Sequence, residues 1–137
     1  MTITLIDPCP FGPTTKSPVE TSAVGQFVYK VHDDGSITYK LIASNIENVT
    51  QAHIHRAAAP GANGGVVAWL YPSAPPLRLI PGRSSGILAE GTITAANLVG
   101  ALSGQPLSAL LSAIANGTAY VNVHTTAHPG GEIRGNM

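Results

Sequence analysis

Glycine and proline interrupt this chain so often that little room is left for long helices. The 137 residues include 15 glycines and 11 prolines, and the segments between them suit short strands better than a helical bundle. Hydrophobic residues make up 44% of the chain and charged residues only 10%, so enough apolar surface is available to form a core. The length suits one domain. We therefore predict a single all-β domain.

Alternation of apolar and polar residues predicts where the strands lie. Every second residue is apolar within residues 26–31 and again within residues 37–41, which is typical of half-buried strands. Asp34-Gly35 lies between them and favours the tight turn of a β-hairpin. Further strands are predicted over residues 51–55, 66–71, 87–94, 120–125 and 132–134. Seven or eight short strands favour a two-sheet Greek-key sandwich or barrel.

One short helix is predicted near residues 106–116. Four apolar residues there share one helical face: Leu107, Leu110, Leu111 and Ile114. Pro106 suits the first helical position, and Asn116-Gly117 is typical of a left-handed helix end. The apolar stripe predicts that the helix packs over an open end of the sandwich.

The first 22 residues are predicted to form an extended arm ahead of a folded domain over residues 23–137. Cys9, the single cysteine, lies in this arm and cannot form an intrachain disulfide. A plain loop cysteine is the simpler interpretation, and a metal or redox role is the alternative. Residues 1–7 are apolar, but they are too short and lack the basic residues of a signal peptide.

The charge pattern argues against several classes of partner. Seven Lys and Arg residues balance seven Asp and Glu residues, and no basic patch predicts binding to nucleic acid. No apolar run reaches the roughly 18 residues that a membrane span requires. Acidic residues are sparse and no Ser/His/Asp arrangement is visible, so a hydrolase is disfavoured. The sequence leaves open whether the chain forms a homo-oligomer.

Four of the five histidines lie in two short segments, three of them within predicted strands. His53 and His55 lie two residues apart and therefore share one strand face, while Ile54 points into the core. His124 lies on the outward face of its own strand, because the valines before it face the core. If the two strands are neighbours, three imidazoles converge, and such a site suits copper or zinc. A solvated strand face without metal is the alternative.

The last segment adds further candidate site residues. His128 is a candidate fourth ligand, although it also suits an exposed loop before a proline. Glu132 and Arg134 share one strand face and could form a plain surface ion pair. Alternatively, Glu132 accepts a hydrogen bond from a ligand histidine, and Arg134 guides an anion to the metal. Arg56 competes for the anion role, but it should point to the opposite face from His55.

Several of these segments resemble the CHRD (chordin) domain family. They are AHIHRAA over residues 52–58, PGANG over 60–64, GTIT over 91–94, AYVNVHT over 119–125 and PGGEIRG over 129–135. Together they span residues 23–135. CHRD domains occur in the extracellular growth-factor antagonist chordin and in many stand-alone microbial proteins that are often exported. The resemblance implies an exported or cell-surface protein.

The two histidine motifs of this family are also similar to those of copper/zinc superoxide dismutases, which are Greek-key β-barrels. That likeness implies that His53, His55 and His124 are copper ligands, that Arg134 guides the anion, and that superoxide is the substrate. The chain lacks the bridging histidine, the long zinc loop and the disulfide of those enzymes. We therefore expect a copper-only superoxide dismutase-like oxidoreductase, with zinc as the alternative metal. A non-catalytic copper or zinc binder and an extracellular protein-binding module stay open.

Overall fold

Eight strands, one α-helix and two short 3-10 turns make up the part of the chain that the structure describes. The computed structural model describes residues 1–5, 7–8 and 21–137. The strands are β1 (Thr2–Leu5), β2 (Asp7–Pro8), β3 (Val24–Val31), β4 (Ile37–Ala57), β5 (Gly64–Tyr71), β6 (Ile80–Ile93), β7 (Ala119–Thr125) and β8 (Ile133–Asn136). The helix α1 spans Leu107–Ala115, and the 3-10 turns span Ala95–Asn97 and Gly100–Leu102. The prediction of an all-β domain with one short helix is confirmed.

The long strand β4 belongs to both sheets of the sandwich. Its first part, residues 37–44, pairs with β3 on one side and β6 on the other. Its last part, residues 52–57, pairs with β5 and β7. Between these parts Asn45 and Asn48 take positive φ angles of 57° and 53°, and the register with β6 shifts there. The sequence predicts two separate strands in this region, which is wrong because the connecting residues keep their pairing with β6.

All strand pairings in the described residues are antiparallel. The eight strands form one hydrogen-bonded sheet in the order β1-β3-β4-β7-β8-β2, with β5 and β6 also paired to β4. Because β4 is long, the sheet divides along it into a β1-β3-β4-β6 layer and a β5-β4-β7-β8-β2 layer, which are the two sheets of the sandwich. Strands β1 and β8 lie against each other, and so do β5 and β6. These contacts bring the two sheets together along both sides and nearly close them into a barrel.

The core lies between the two sheets and is built by the period-two alternation of the strands. On β3, Phe27 is fully buried and its ring stacks against Tyr29 and Tyr39 at centroid distances of 5.7 and 5.6 Å. From the second sheet, Ile54 and Val121 are also fully buried in this cluster. Each fully buried side chain of this size contributes roughly 1.5–3 kcal/mol to stability.

The predicted turn and helix ends are present. The β3–β4 hairpin closes through the His32 amide donating to the Ser36 carbonyl at 2.8 Å, with Gly35 at φ 87°. Helix α1 buries Leu110 and ends at Ala115, with Asn116 as its C-cap and Gly117 following at a φ of 73°. The proline at 106 caps the helix instead of occupying its first turn.

The first residues of the chain add a strand that the sequence does not predict. Strand β1 pairs with β3 along its whole length, and Leu5 is fully buried. Residue 6 and residues 9–20, which include Cys9, lie outside the described residues, so the arm over residues 1–22 stays a prediction. Within the described ranges, no helix has the length and apolar character that crossing a membrane requires.

Candidate metal centre

The two histidine-bearing strands are neighbours. Strands β4 and β7 pair antiparallel, with His53 opposite Asn122 and His55 opposite Tyr120. Because residues directly opposite each other in a pair share a face, all of these side chains and His124 lie on one face of the sheet. The residues between them, such as Ile54, belong to the core on the other face. The condition for a three-histidine site is therefore met.

The three imidazoles converge on one point. Each of the three histidines, His53, His55 and His124, offers one ring nitrogen to a metal ion. These three nitrogen atoms all lie within 4.8 Å of one another. The closest measured approach is 3.2 Å, between His53 Nδ1 and His124 Nε2. Two nitrogens bound to one tetrahedral ion at about 2.0–2.1 Å would lie roughly 3.3 Å apart. The spacing of this pair therefore fits two ligands of a single metal ion.

The histidine face is not open to solvent. The exposed fractions of His53, His55 and His124 are 2%, 7% and 6%, which excludes the alternative of a solvated strand face. Trp69 of β5 packs edge-on against His53 at a centroid distance of 4.4 Å, and Tyr120 stacks on His55 at 4.9 Å. Neighbouring aromatic rings cover the outward face, so the sandwich has a second buried layer there.

Backbone carbonyls fix the proton positions on two of the rings. Nδ1 of His55 donates to the carbonyl oxygen of Gly64 at 2.8 Å, and Nδ1 of His124 donates to that of Pro129 at 2.7 Å. Each Nε2 of these neutral rings therefore keeps its lone pair for another partner. Such carbonyl acceptors are a common way of orienting metal-binding histidines.

Two buried ring nitrogens have no hydrogen-bond partner among the described residues: Nε2 of His53 and Nε2 of His55. Leaving a buried polar atom unsatisfied costs about 1–3 kcal/mol. A cation bound by the lone pair of His55 Nε2 would remove that cost. The donor set of three imidazoles thus fits a metal ion, although it does not identify which one.

The environment keeps the cluster uncharged near neutral pH. The pKa of His53 is lowered from 6.5 to about 3, mainly by burial and then by the neighbouring His124 and His55, in that order. Burial is also the main cause that lowers the pKa of His55 and of His124. Neutral imidazoles are the form that binds metals.

The family comparison covers nearly the whole chain. The model of the CHRD domain matches residues 12–137. The chain belongs to the CHRD domain family. No curated protein and no solved structure is significantly similar to it. Both histidine segments lie within the matched residues, so the candidate metal centre is part of the CHRD domain itself.

In this CHRD domain, Tyr120 and Arg134 support the ring of His55. The guanidinium carbon of Arg134 lies 3.7 Å from the centroid of the Tyr120 ring. Arg134 also donates to Asn63 Oδ1 at 3.0 Å and to Asn136 Oδ1 at 3.2 Å. The bond to Asn63 holds the loop after β4 over the site, and the Arg134 charge is one of the causes that lower the His55 pKa.

Glu132 and His128 lie beside the cluster and contact each other. The Glu132 carboxylate accepts hydrogen bonds from Thr21 Oγ1 at 2.7 Å and Thr125 Oγ1 at 2.9 Å. His128 Nε2 lies 3.9 Å from Glu132 Oε1, whereas the group of converging ligand atoms contains His53, His55 and His124. Glu132 therefore anchors the end of the loop whose Pro129 carbonyl orients His124.

The structure also adds residues that the sequence analysis does not single out. Asn122 and Tyr120 alternate with His124 along β7, so period-two spacing alone could have placed them on the histidine face. Trp69 and Gly64 could not be found this way, since their positions depend on the register of β5 against β4. Arg56 is exposed.

Proposed function

We propose that this CHRD domain binds one copper ion through His53, His55 and His124 and dismutates superoxide there. The observation that carries the proposal is the convergence of three buried, neutral imidazoles, in which the Nε2 lone pair of His55 has no hydrogen-bond partner among the described residues. A buried cluster of this kind is costly to keep without a cation. The likeness of the histidine motifs to those of copper/zinc superoxide dismutases supports the choice of metal and reaction.

The donor set favours copper over structural zinc. Structural zinc sites are typically built from cysteine thiolates with or without histidine, whereas the group of converging ligand atoms in the described residues contains three histidines and no cysteine. Imidazole nitrogen is a good ligand for copper, and three such ligands leave coordination positions for other groups, including a small anion. Zinc is the alternative metal.

The residues of the chain hold and orient the site. Bound copper would supply one-electron chemistry by alternating between its two oxidation states. The reaction consumes two superoxide ions and two protons and yields O₂ and H₂O₂. The carbonyls of Gly64 and Pro129 keep His55 and His124 in the tautomer that presents Nε2, and the positive charge of Arg134 favours the approach of an anion. From the family we infer an exported or cell-surface location.

A non-catalytic copper or zinc holder is the second candidate function. The burial of the cluster favours it, because the ligand histidines are only 2–7% exposed. The Arg134 guanidinium is also held by Asn63 and Asn136, which restricts its movement toward an incoming anion. Storage or delivery of copper would use the same three ligands.

Copper titration of the metal-free protein, combined with a superoxide-consumption assay, separates these functions. We expect one copper per chain and turnover of superoxide, both lost in His53→Ala and in His124→Ala. His32→Ala is the matched control, since His32 binds Thr38 at 2.8 Å beside the hairpin turn and lies outside the cluster. Binding without turnover would support the holder, and a wild-type protein that binds no copper would refute the metal site.

A further inference from the structure

Asn122 occupies the centre of the histidine cluster. It lies directly opposite His53 in the β4–β7 pair, and its side chain is 5% exposed. Its Oδ1 atom lies 2.9 Å from His124 Nε2. Asn122 also lies close enough to the His55 ring to raise its pKa, although the two side chains form no hydrogen bond. The carboxamide therefore faces the nitrogens that the metal proposal assigns as ligands.

The contact between Asn122 and His124 joins two hydrogen-bond acceptors. Because Nδ1 of His124 donates to the Pro129 carbonyl, its Nε2 presents a lone pair in the neutral ring. The amide oxygen of Asn122 also presents lone pairs and carries no proton. With the amide oxygen at this position, 2.9 Å from Nε2, the two acceptors repel each other unless a cation lies between them, whereas the NH₂ group at the same position would donate a hydrogen bond to Nε2.

We propose that Oδ1 of Asn122 is an additional ligand of the metal ion held by the three histidines. This inference rests on the proposed copper site. Ligand atoms at about 2.0–2.1 Å from one ion lie roughly 2.9 Å apart at right angles and roughly 3.4 Å apart in a tetrahedron. The measured separations of 2.9 Å for Asn122 Oδ1 to His124 Nε2 and 3.2 Å for His53 Nδ1 to His124 Nε2 fall in that range.

An amide-oxygen ligand changes which oxidation state the site prefers. Oxygen is a harder donor than imidazole nitrogen and suits the more highly charged Cu(II) better than Cu(I). Asn122 therefore lowers the reduction potential of the bound copper. Without metal, a half-turn of the amide exchanges its oxygen for its NH₂ group, which can donate to the Nε2 lone pairs. Asn122 can thus interact favourably with the histidine cluster in both states: through its oxygen when copper is bound, and through its NH₂ group when copper is absent.

The test compares copper affinities of the full chain in both oxidation states. Wild-type protein, Asn122→Ala and Asn122→Asp are titrated with Cu(II) and with Cu(I) against competing chelators, and the Cu(II) forms are examined by electron paramagnetic resonance. Asn97→Ala is the matched control, because Asn97 accepts a hydrogen bond from the Thr94 amide beside a 3-10 turn and lies outside the histidine cluster. Circular dichroism of each metal-free variant reports folding.

We expect Asn122→Ala to weaken Cu(II) binding by about tenfold or more while leaving Cu(I) binding within about twofold. A tenfold loss for Cu(II) alone raises the potential by about 59 mV. Asn122→Asp, which keeps the shape and adds charge, should tighten Cu(II) binding and alter the copper hyperfine splitting.

Cu(II) affinity and hyperfine splitting that stay at the Asn97→Ala values in both Asn122 variants would overturn this proposal and leave the copper site intact. Should Asn122→Ala fail to fold, Asn122→Asp decides the question alone. A wild-type protein that binds no copper would overturn the copper site together with the Asn122 ligand.

Discussion

Acidification should destabilise the metal-free protein through the buried histidines. Burial lowers the pKa of folded His53 from 6.5 to about 3, so the unfolded state binds more protons between these two pH values. The stability that depends on a neutral His53 is therefore fully present above pH 6.5 and is lost as the pH falls toward 3. His55 and His124 add to this loss, because their pKa values are lowered as well.

The size of this loss of stability follows from the pKa shift of His53. One pKa unit corresponds to about 1.4 kcal/mol, so lowering the pH from about 7 to about 5 should remove about 2 kcal/mol from the free energy of unfolding through His53 alone. In urea, with an m-value of about 2 kcal/mol/M, the unfolding midpoint should fall by about 1 M. Among the residues that the structure describes, Asp34 is the one carboxyl whose pKa clearly shifts; hydrogen bonds from Ser36 lower it from 3.8, so it contributes little in this pH range.

Urea unfolding at several pH values, followed by far-UV circular dichroism, measures this loss. His53→Phe keeps an aromatic ring against Trp69 and removes the titrating group, so its stability should vary less with pH than that of the wild type. His32→Ala, outside the cluster, should retain the wild-type pH dependence. Wild-type stability that changes by less than about 0.5 kcal/mol over this range, or an equal loss in His53→Phe, would refute the reasoning.

Other substitutions test the parts of the fold that support the site. Gly64→Ala should lower the free energy of unfolding by at least about 1–3 kcal/mol, because the added Cβ would overlap the Arg56 carbonyl. A melting temperature equal to that of the wild type would contradict this. Arg134→Lys should speed hydrogen exchange over residues 58–63, since lysine cannot reproduce the forked hydrogen bonds; wild-type exchange rates there would count against the anchoring role. Phe27→Ala should lower the free energy of unfolding by about 3–5 kcal/mol and leave the copper affinity of the folded protein unchanged. A weakened copper affinity would show that the core and the metal site are coupled.

The strand pattern was predictable because it depends on neighbouring residues. Alternation along β3 and the Asp34-Gly35 turn are local signals, and both agree with the structure. The continuity of β4 was not predictable, since the asparagines at 45 and 48 bend the strand while its pairing with β6 continues. Strand β1 was also missed: Ile3 and Leu5 alternate with two threonines, but a pattern over four residues is too short to distinguish a strand until its pairing with β3 is known.

The residues of the candidate site also fall into two groups: those that local sequence patterns predict and those whose contacts depend on the tertiary structure. His53 and His55 could be placed on one face from their spacing, and His124 could be placed outward from the alternation of β7. The contacts of Arg134 with Asn63 and Asn136 could not be foreseen, because they depend on how the loop after β4 folds back over the sheet. The pairing of His128 with Glu132 likewise depends on the path of a loop.

By itself the sequence determined the direction of each histidine, since successive side chains of a strand point to opposite faces whatever the strand packs against. Only the tertiary structure decided that β4 and β7 are neighbours and that the histidine face is buried. Pairing joins His53 to His124 across 71 positions of the chain, and burial comes from Trp69 and Tyr120 on other strands. Proximity and desolvation are properties of residues distant in sequence, and they turn outward histidines into a neutral cluster suited to a metal ion.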